Sequence, residues 1–436
     1  MLNYTILPGG TLQGEFTVPG DKSISHRSII FGAIAEGTTT VAGFLEGMDC
    51  LATMQAFRDM GVKITQPVNG NLTIKGVGLQ GLQAPKKILD LGNSGTSIRL
   101  LAGLLAGQTF SSILTGDASL QKRPMSRIVK PLRQMGAVIE MHNENFPPLY
   151  IHGQENLQGI YYPMPMASAQ VKSGLLLAGL YASGKTTIIE PAPSRDHTER
   201  LLAHFGVAIE CKGNSITLEK PKKLSSTHLT IPADISSAAF FIVGATIATG
   251  ANIILKNIGI NPTRTGIIKI LQMMGAHIEL VNQRLSGKEP IADILVKHSK
   301  LSGISIPPEL VPLAIDEFPI IFIAAACAEG ITTLGGAEEL RVKESDRIQV
   351  MADGLNAIGI TAQVTRDGIA ITGGRLKGGH VHSHGDHRIA MSFAMAGLAA
   401  QAEITIQDCE NIATSFPNFL ELAQQAGLKI EASTVL

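Results

Sequence analysis

Met60-Gly61-Val62-Lys63-Ile64 is the first of six copies of one short phrase, and this phrase decides the fold. Each copy follows a stretch with the periodicity of an amphipathic helix, and residues that alternate as in a strand come after its glycine. The glycine stands where a helix end needs a left-handed residue, so each copy predicts a helix-to-strand corner. The other copies begin at Met135, Phe205, Met274, Ile358 and Ala426.

A second turn signal, Ala-x-Gly or a close variant, precedes each corner by roughly 20 to 30 residues. The first copy, Ala35-Glu36-Gly37-Thr38, ends an apolar helical run and opens a β-branched one. Later copies begin at Ala106, Ala182, Ala248, Ala328 and, in weaker form, Ala400. The pattern of each unit therefore predicts a helix, a strand, a second helix and a second strand, with one or two further strands. A period of about 70 residues is too long for a thin solenoid, so we predict an α/β fold of six βα subdomains.

The composition limits the classes of protein to consider. A chain of 436 residues has the length for about two or three domains, and a formal net charge of zero disfavours a general nucleic-acid or acidic-membrane surface. The opening MLNYTILPGG lacks the regions of a signal peptide, and no apolar run reaches about 18 residues. Four cysteines lie far apart without a CxxC pair. We predict a cytoplasmic protein with buried thiols in a reducing compartment.

Two strings match functional motifs but stand in the wrong context. Gly179–Thr186, GLYASGKT, fits the Walker A pattern, yet a P-loop follows a strand and opens a helix, and here that order is reversed. His382–His387, HSHGDH, together with His380, fits the H-x-H-x-D-H string of the metallo-β-lactamase hydrolases. A dinuclear site needs further histidines downstream, and none follows His387. We reject both interpretations.

Clusters of glycine, serine, lysine and arginine fall in the loops between units. Gly20–Arg27, GDKSISHR, and Leu91–Arg99, LGNSGTSIR, each open a predicted helix, where cations, hydroxyls and helix-end amides suit a phosphate. A capped helix start explains either one alone. Further charged clusters are QKRP at Gln121–Pro124, ELRVKESDR at Glu339–Arg347 and GDHRIAM at Gly385–Met391. A solvated face explains any one of these, but cations from separate repeats of a neutral protein favour binding of small anionic substrates.

With Ser415-Phe416-Pro417 added, these clusters resemble the 5-enolpyruvylshikimate-3-phosphate synthase family over nearly the whole chain. Four further strings are similar to markers of its class II branch: Gly20-Asp21-Lys22, SAQVK at Ser168–Lys172, RDHTE at Arg195–Glu199 and NPTR at Asn261–Arg264. The resemblance implies an inside-out α/β barrel of two domains, each with three βαβαββ units.

The same resemblance implies where the domains begin and end. Residues 21–234 would form one domain, and residues 1–20 with 235–436 the other. Hinges are expected near 19–21 and 231–236. Helix N-termini of both domains would face a cleft that closes over the substrates, since their partial positive charges favour anions.

The reaction implied belongs to the shikimate pathway of aromatic amino acid biosynthesis. It transfers the enolpyruvyl group of phosphoenolpyruvate to the 5-hydroxyl of shikimate 3-phosphate and releases phosphate. Addition followed by elimination needs a base for the hydroxyl, an acid for the methylene carbon, and cations for the phosphates and carboxylates. The resemblance implies no cofactor or metal, no nucleic-acid or membrane partner, and a monomer.

The resemblance also carries residue roles onto this chain by position. Asp316 is the expected base and Glu344 the expected acid, with Lys22 sharing proton transfer. Contacts to shikimate 3-phosphate are expected from Lys22, Ser23, Arg27, Ser168, Ala169, Gln170, Arg195, Asp316 and Lys343. Contacts to phosphoenolpyruvate are expected from Lys22, Asn93, Gly95, Thr96, Arg123, Gln170, Glu344, Arg347 and Arg388.

Several positions depart from the class I pattern of the family. Thr414 and Glu339 stand where a lysine and an asparagine are expected, and Ala169 replaces a serine. Gly95 stands where glyphosate-tolerant enzymes commonly carry alanine, so the response to this herbicide does not follow from the sequence.

Two alternatives share part of the pattern. UDP-N-acetylglucosamine enolpyruvyl transferase has the same implied fold and second substrate, but its usual loop cysteine is Ala118 here. A non-catalytic ring of βα repeats, such as a sliding clamp, would need distributed positive charge to encircle DNA. The cations of this neutral chain are concentrated in a few loops, which disfavours the ring.

Overall fold

The computed structural model describes residues 2–434, and these form two compact units. The N-half unit comprises Gly20–Ile231 and Ser286–Lys288. The C-half unit comprises the chain up to Pro19, Pro232–Leu285 and the chain from Glu289 onward. Each unit has its own hydrophobic core, as a folding domain of this length requires.

Helices and strands alternate along the described chain. The α-helices are α1 Lys22–Ile34, α2 Met48–Asp59, α3 Gly95–Ala106, α4 Ser126–Gln134, α5 Ala169–Gly179, α6 His197–His204, α7 Ile235–Ile247, α8 Gly266–Met273, α9 Phe318–Ala326, α10 Arg347–Ala357, α11 His387–Ala396 and α12 Phe419–Ala426. The strands are β1 Leu2–Gly10, β2 Gln13–Phe16, β3 Glu36–Ala42, β4 Lys63–Ile64, β5 Leu72–Val77, β6 Leu89–Asp90, β7 Ser112–Thr115, β8 Ile139–His142, β9 Phe146–Ile151, β10 Tyr161–Pro163, β11 Lys185–Ile189, β12 Ile209–Lys212, β13 Ser215–Glu219, β14 His228–Thr230, β15 Asn252–Gly259, β16 His277–Ser286, β17 Glu289–Lys297, β18 Ile331–Leu334, β19 Thr361–Val364, β20 Ile369–Thr372, β21 Gly379–His382, β22 Ile404–Gln407 and β23 Leu428–Thr434.

The three sheets of the N-half unit repeat one topology. Their strand orders are β14-β3-β5-β4, β6-β7-β9-β8 and β10-β11-β13-β12. In each sheet the first pair is parallel and the other pairs are antiparallel. Three different stretches of the chain therefore form mixed sheets of the same topology.

The C-half unit has a similar topology, and two of its strands, β1 and β2, come from the start of the chain. Its sheets have the orders β16-β17-β15-β2, β18-β20-β19 and β21-β22-β1-β23. β2 pairs in parallel with β15, and β1 lies antiparallel to both β22 and β23. In the three-stranded sheet, a parallel bridge between Ser305 and Thr333 takes the place of the missing edge strand. The predicted α/β fold of six subdomains is confirmed.

All six predicted corners are present. The corner glycines have positive φ: Gly61 (89°), Gly136 (97°), Gly206 (83°), Gly275 (102°), Gly359 (87°) and Gly427 (112°). An even-numbered helix ends before each glycine, and a strand begins within three residues after it. Glycine adopts this left-handed conformation without the steric cost that a Cβ atom brings, which explains why the phrase keeps it.

The odd-numbered helices are the buried ones. α7 has every residue buried, and nine of the ten residues of α11 are buried. Close helix packing requires small residues: a Cβ added to Gly103 in α3 would lie 1.9 Å from the carbonyl oxygen of Gly174 in α5. A helix that is apolar all round is buried in the core. Polar residues of such a helix are therefore expected at its N-terminus.

The predicted order of elements around the Walker-like string and the predicted burial of the cysteines can both be compared with the structure. In the Walker-like string, α5 precedes and β11 follows, so the order is the reverse of a P-loop, as predicted. Within residues 2–434, no group of three or more His, Cys, Asp or Glu side chains is arranged to hold a metal. Cys50 and Cys409 are buried, but Cys211 is exposed and Cys327 is intermediate, so the expectation of four buried thiols is wrong. Cys211 lies on β12, the outermost strand of its sheet.

None of the described helices has the length and apolarity to cross a membrane.

Candidate active site

Most of the predicted site residues lie at or near helix starts, which are those of α1, α3 and α5 in the N-half unit and those of α9, α10 and α11 in the C-half unit. In the N-half unit, Asp21 caps α1 by accepting a hydrogen bond from the Ile24 amide at 2.9 Å. The next residue, Lys22, forms a short ion pair with Asp49 in α2, and its side chain is 21% exposed. The capped helix start therefore presents an ammonium group beside the amides of the first helical turn, which is a favourable setting for an anion.

Arg27 lies one turn further along α1 and is 3% exposed. Its Nε donates to Thr198 Oγ1 at 2.7 Å, its Nη2 to Ser173 Oγ at 2.7 Å, and its Nη1 to the Ser23 carbonyl at 2.9 Å. These bonds hold the guanidinium in one orientation. They link α1 to α5 and α6.

The start of α3 joins Asn93 and Arg123. Asn93 Nδ2 donates to Asp117 at 2.7 Å, and Arg123 Nη2 donates to Asn93 Oδ1 at 2.7 Å. Ser94 caps the helix by accepting from the Ser97 amide. Gly95 follows, and a Cβ atom there would lie 2.8 Å from Arg99 Nη1 and 3.1 Å from Arg123 Nη1. The absence of a side chain at 95 therefore leaves room for two guanidinium groups.

The start of α5 completes this cluster. Gln170 donates to Thr96 Oγ1 at 3.0 Å and accepts from Arg99 Nη1 at 2.7 Å. Ser168 caps α5, and Ala169 is its first residue. The structure thus brings together the starts of α1, α3 and α5, whereas Arg195 is half-buried in the loop before α6.

Arg347 is the centre of the cluster in the C-half unit. Its side chain is 1% exposed, and its Nη2 lies 2.6 Å from Glu344 Oε2. Its Nη1 lies 3.6 Å from Asp316 Oδ1 and has no hydrogen-bond partner among residues 2–434. One buried guanidinium therefore stands between the expected base and the expected acid.

Asp386, the N-cap of α11, is a third carboxylate on this guanidinium. Arg347 Nε donates to Asp386 Oδ2 at 2.8 Å, and the Asp386 carboxylate also accepts from Ser345 Oγ and the Arg388 amide. Burial would raise the pKa of Asp386, but the charge and hydrogen bonding of Arg347, together with the charge of His387, outweigh burial and hold that pKa below its ordinary value. Burial would lower the pKa of Arg347, and Asp386 and Glu344 reverse that effect, so the guanidinium stays charged.

Lys343 adds a second cation beside Asp316. Its Nζ lies 3.4 Å from Asp316 Oδ1 and 3.0 Å from Glu339 Oε1. Burial would lower the pKa of Lys343, but the charges of Asp316 and Glu339 raise it above the ordinary value. Glu339, which stands where the class I pattern has an asparagine, therefore supports the charge of Lys343.

Arg388, in the first turn of α11, faces another buried carboxylate. Its Nη1 lies 3.9 Å from Oε1 of Glu317, a residue that is 1% exposed. Thr414, found in place of an expected lysine, is 5% exposed and donates to the Asn411 carbonyl at 2.6 Å. Position 414 thus supplies no cation to this unit.

Sequence reasoning missed the partners that orient the predicted cations. These are Asp49, Arg99, Glu317 and Asp386. Arg99 and Asp386 lie inside the quoted motifs, so their position next to the expected contacts was a usable signal. Asp49 and Glu317 carry no sequence signal beyond being acidic residues near a helix start.

Known proteins provide an independent comparison. Residues 6–422 match the family of EPSP synthase (3-phosphoshikimate 1-carboxyvinyltransferase). The 3-phosphoshikimate 1-carboxyvinyltransferase of Nitrosococcus oceani is 64% identical over 98% of this chain and 96% of its own, and that of Methylococcus capsulatus is 60% identical over 99% and 98%. A solved structure of EPSP synthase from Acinetobacter baumannii is 60% identical over 100% of both chains, with a TM-score of 0.90. A match of this extent and identity leaves one conclusion, which is that the chain is a member of the EPSP synthase family, with its two-domain inside-out α/β fold.

Proposed function

We propose that Asp316 is the base and Glu344 the acid with which this enzyme carries out the reaction of its family, the transfer of the enolpyruvyl group of phosphoenolpyruvate to the 5-hydroxyl of shikimate 3-phosphate. The observation that carries these roles is the buried guanidinium of Arg347, which lies 3.6 Å from one carboxylate and 2.6 Å from the other. A nearby cation favours the deprotonated form of a carboxylate, which suits Asp316 as a general base. Glu344 is held by the same cation, so it acts as the acid only after it has taken up a proton.

Addition needs two proton movements. Asp316 removes the proton of the 5-hydroxyl, whose oxygen then attacks the carbon of phosphoenolpyruvate that bears the phosphate, and a protonated Glu344 delivers a proton to the methylene carbon. In the elimination, the added methyl group returns a proton to the Glu344 carboxylate, the double bond re-forms as the bond from carbon to the phosphate oxygen breaks, and phosphate leaves with the proton that Asp316 had accepted. Lys22 is a further candidate for proton transfer because its ammonium is partly exposed.

The same proposal divides the binding residues between the substrates. For shikimate 3-phosphate they are Lys22, Ser23, Arg27, Ser168, Ala169, Gln170, Arg195, Asp316 and Lys343. For phosphoenolpyruvate they are Lys22, Asn93, Gly95, Thr96, Arg123, Gln170, Glu344, Arg347 and Arg388. Support comes from the oriented cations: Arg27 and Arg123 are each fixed by hydrogen bonds, and Arg347 Nη1 has no hydrogen-bond partner among residues 2–434. Preorganised donors of this kind stabilise anionic substrates without being reordered on binding.

The direct test follows phosphate release from phosphoenolpyruvate with EDTA present. Purified protein receives either shikimate 3-phosphate or UDP-N-acetylglucosamine as the second substrate. Release with shikimate 3-phosphate alone supports the proposal and a reaction that needs no added metal. Release with the nucleotide sugar alone, or with neither, contradicts it.

We also propose that the chain crosses between the units at hinges near 19–21 and 231–236. The division of contacts between Pro19 and Gly20, and between Ile231 and Pro232, supports these positions. Small-angle X-ray scattering with and without saturating shikimate 3-phosphate is the test. An unchanged radius of gyration with this substrate bound would contradict hinge closure.

A monomer in the cytoplasm, in the class II branch, is the remaining part of the proposal. The SAQVK, RDHTE and NPTR strings support the class II branch, the neutral formal charge disfavours a membrane surface, and the family resemblance supports a monomer. Light scattering after size exclusion tests the monomer, and cell fractionation tests the location. A dimer mass, or recovery with membranes, would contradict these assignments.

A further inference from the structure

Lys172 is a buried lysine outside the proposed substrate contacts, although it lies two residues after Gln170 in α5. Its side chain is 1% exposed, and its Nζ lies 2.9 Å from Glu190 Oε2 and 2.6 Å from Glu199 Oε1. The two carboxylates are 5% and 6% exposed. Burying three charges carries a large desolvation penalty, so stability alone is a weak explanation for the cluster.

The two glutamates lie on either side of one loop. Glu190 directly follows β11, and Glu199 lies in the first turn of α6. The loop between them contains Arg195, a proposed contact to shikimate 3-phosphate. Ser194, next to Arg195, makes a short hydrogen bond to Glu190 Oε1. Both ends of the arginine-bearing loop therefore meet on a single ammonium group.

A neutral chain of hydrogen bonds runs beside this ionic cluster. Thr198 Oγ1 donates to Ser173 Oγ at 2.7 Å and accepts from Arg27 Nε at 2.7 Å. Thr198 directly precedes Glu199, and Ser173 directly follows Lys172. The first turn of α6 is thus joined to α5 by two adjacent links, and one of them includes a proposed substrate contact.

The balance of charge makes Lys172 the necessary member. Burial would lower the pKa of Lys172, but the charges of Glu199 and Glu190 reverse this and raise it. Burial raises the pKa of Glu199 despite Lys172, and Glu199 Oε2 has no hydrogen-bond partner among the described residues. Without the ammonium, both ends of the loop would lose the charged hydrogen bonds that join them to α5.

We propose that Lys172 is a positioning residue for shikimate 3-phosphate, which joins the two ends of the loop from Glu190 to Glu199 and thereby sets the place of Arg195. The inference rests on the proposed function, since it needs Arg195 to bind that substrate. Lys172 itself touches no substrate atom in this account and acts only through the loop.

The test is a double-mutant cycle of Lys172→Met and Arg195→Ala, with kcat and both KM values measured at saturating second substrate. Each single variant is expected to raise the KM for shikimate 3-phosphate by about 10- to 100-fold, the range for loss of one charged hydrogen bond. kcat and the KM for phosphoenolpyruvate are expected to stay within about twofold of the wild-type values, because Arg195 is a proposed contact to shikimate 3-phosphate alone. The KM of the double variant for shikimate 3-phosphate is expected to be no higher than that of Arg195→Ala alone, since Lys172 acts through Arg195.

Lys185→Met is the matched control. Lys185 pairs with Glu219 at 3.4 Å, but both side chains are more than 60% exposed, and neither belongs to the proposed site. Its variant keeps the wild-type KM for both substrates. Hydrogen exchange adds a readout on the loop itself: the amides of residues 192 and 194–196 exchange faster in Lys172→Met and at the wild-type rate in Lys185→Met.

If Lys172→Met does not fold, Glu190→Gln keeps the pair of Lys172 with Glu199 and loosens one end of the loop. It is expected to raise the KM for shikimate 3-phosphate by about 3- to 10-fold with kcat unchanged. An unchanged KM in the variant that folds, an additive loss in the double variant, or an equal rise in both KM values would overturn the inference. Wild-type protein that releases no phosphate with shikimate 3-phosphate would instead overturn the proposed function, so the two failures are distinguishable.

Discussion

Arg347 and Asp386 are joined by a hydrogen bond of 2.8 Å between Nε and Oδ2, and both side chains are buried. The same carboxylate caps α11, the helix whose second residue is Arg388. Two proposed contacts to phosphoenolpyruvate therefore depend on one aspartate that the sequence motifs did not single out. The consequences of this pair can be measured directly.

Asp386→Ala is expected to damage both activity and stability. It leaves the buried charge of Arg347 without its closest partner and removes the cap of α11, and breaking a buried pair in this way costs about 3–5 kcal/mol of the free energy of unfolding. Urea denaturation with activity measured at saturating substrates is the check. Glu36→Gln is the control, because its pair with Lys223 is exposed on both sides and the expected change is below about 0.5 kcal/mol. Equal stability of the two variants would contradict the role of the pair.

Asp316→Asn and Glu344→Gln are expected to bind both substrates and to turn over slowly. Each substitution removes a proton-transfer group and keeps its shape, so the loss in kcat is about 10²- to 10⁴-fold. Equilibrium binding by calorimetry and single-turnover kinetics separate binding from chemistry. A variant of either residue with wild-type kcat would refute the assignment of that residue.

Gly95→Ala is expected to raise the KM for phosphoenolpyruvate more than the KM for shikimate 3-phosphate. The added Cβ would lie 2.8 Å from Arg99 Nη1 and 3.1 Å from Arg123 Nη1, so both guanidinium groups must move. A rise of about 5- to 50-fold is expected, because misplaced donors lose part of a charged hydrogen bond. Gly374→Ala is the control, since its Cβ would meet only Ile360 Cδ1 at 3.4 Å. Equal KM values in Gly95→Ala and the wild type would argue against contacts at this helix start.

His26 is expected to make the protein less stable in mild acid. It is fully buried in α1, with Nδ1 2.9 Å from Thr53 Oγ1, and burial followed by the charges of Lys22 and Arg27 holds its pKa well below 6.5. The unfolded chain then binds a proton that the folded chain does not, so stability falls as pH drops below about 6.5, by at most about 1.4 kcal/mol per pH unit.

The check is the free energy of unfolding of the wild type and of His26→Asn at pH 7.5 and 5.5. The variant is less stable at pH 7.5, because Thr53 loses a buried partner, but its stability changes less between the two pH values. His152→Gln is the control, since His152 is half exposed and pairs with Glu140 at the surface. The same pH dependence in His26→Asn and the wild type would show that His26 does not carry the effect.

Much of the fold follows from local chemistry, and this is why the sequence predicts it. A glycine with positive φ is needed wherever a helix ends in a left-handed residue, so Gly61 and its five counterparts mark the corners whatever the rest of the chain does. The charged clusters were found for the same reason, because Lys22, Asn93 and Arg388 lie beside helix starts with their own capping residues. Their substrate roles came from family resemblance, since spacing alone does not name a ligand.

The partners that orient these residues, and the groups that are buried, depend on how distant segments pack together. Arg347 and Asp386 are 39 residues apart, and Arg27 and Thr198 are 171 apart, so no local pattern connects them. Burial was misjudged at Cys211, because the exposure of a strand depends on whether another element covers it. Local propensity and capping act over a few residues and can be read in sequence. Ion pairing and pKa depend on how distant segments pack and exclude water, and the sequence of any one segment does not contain that information.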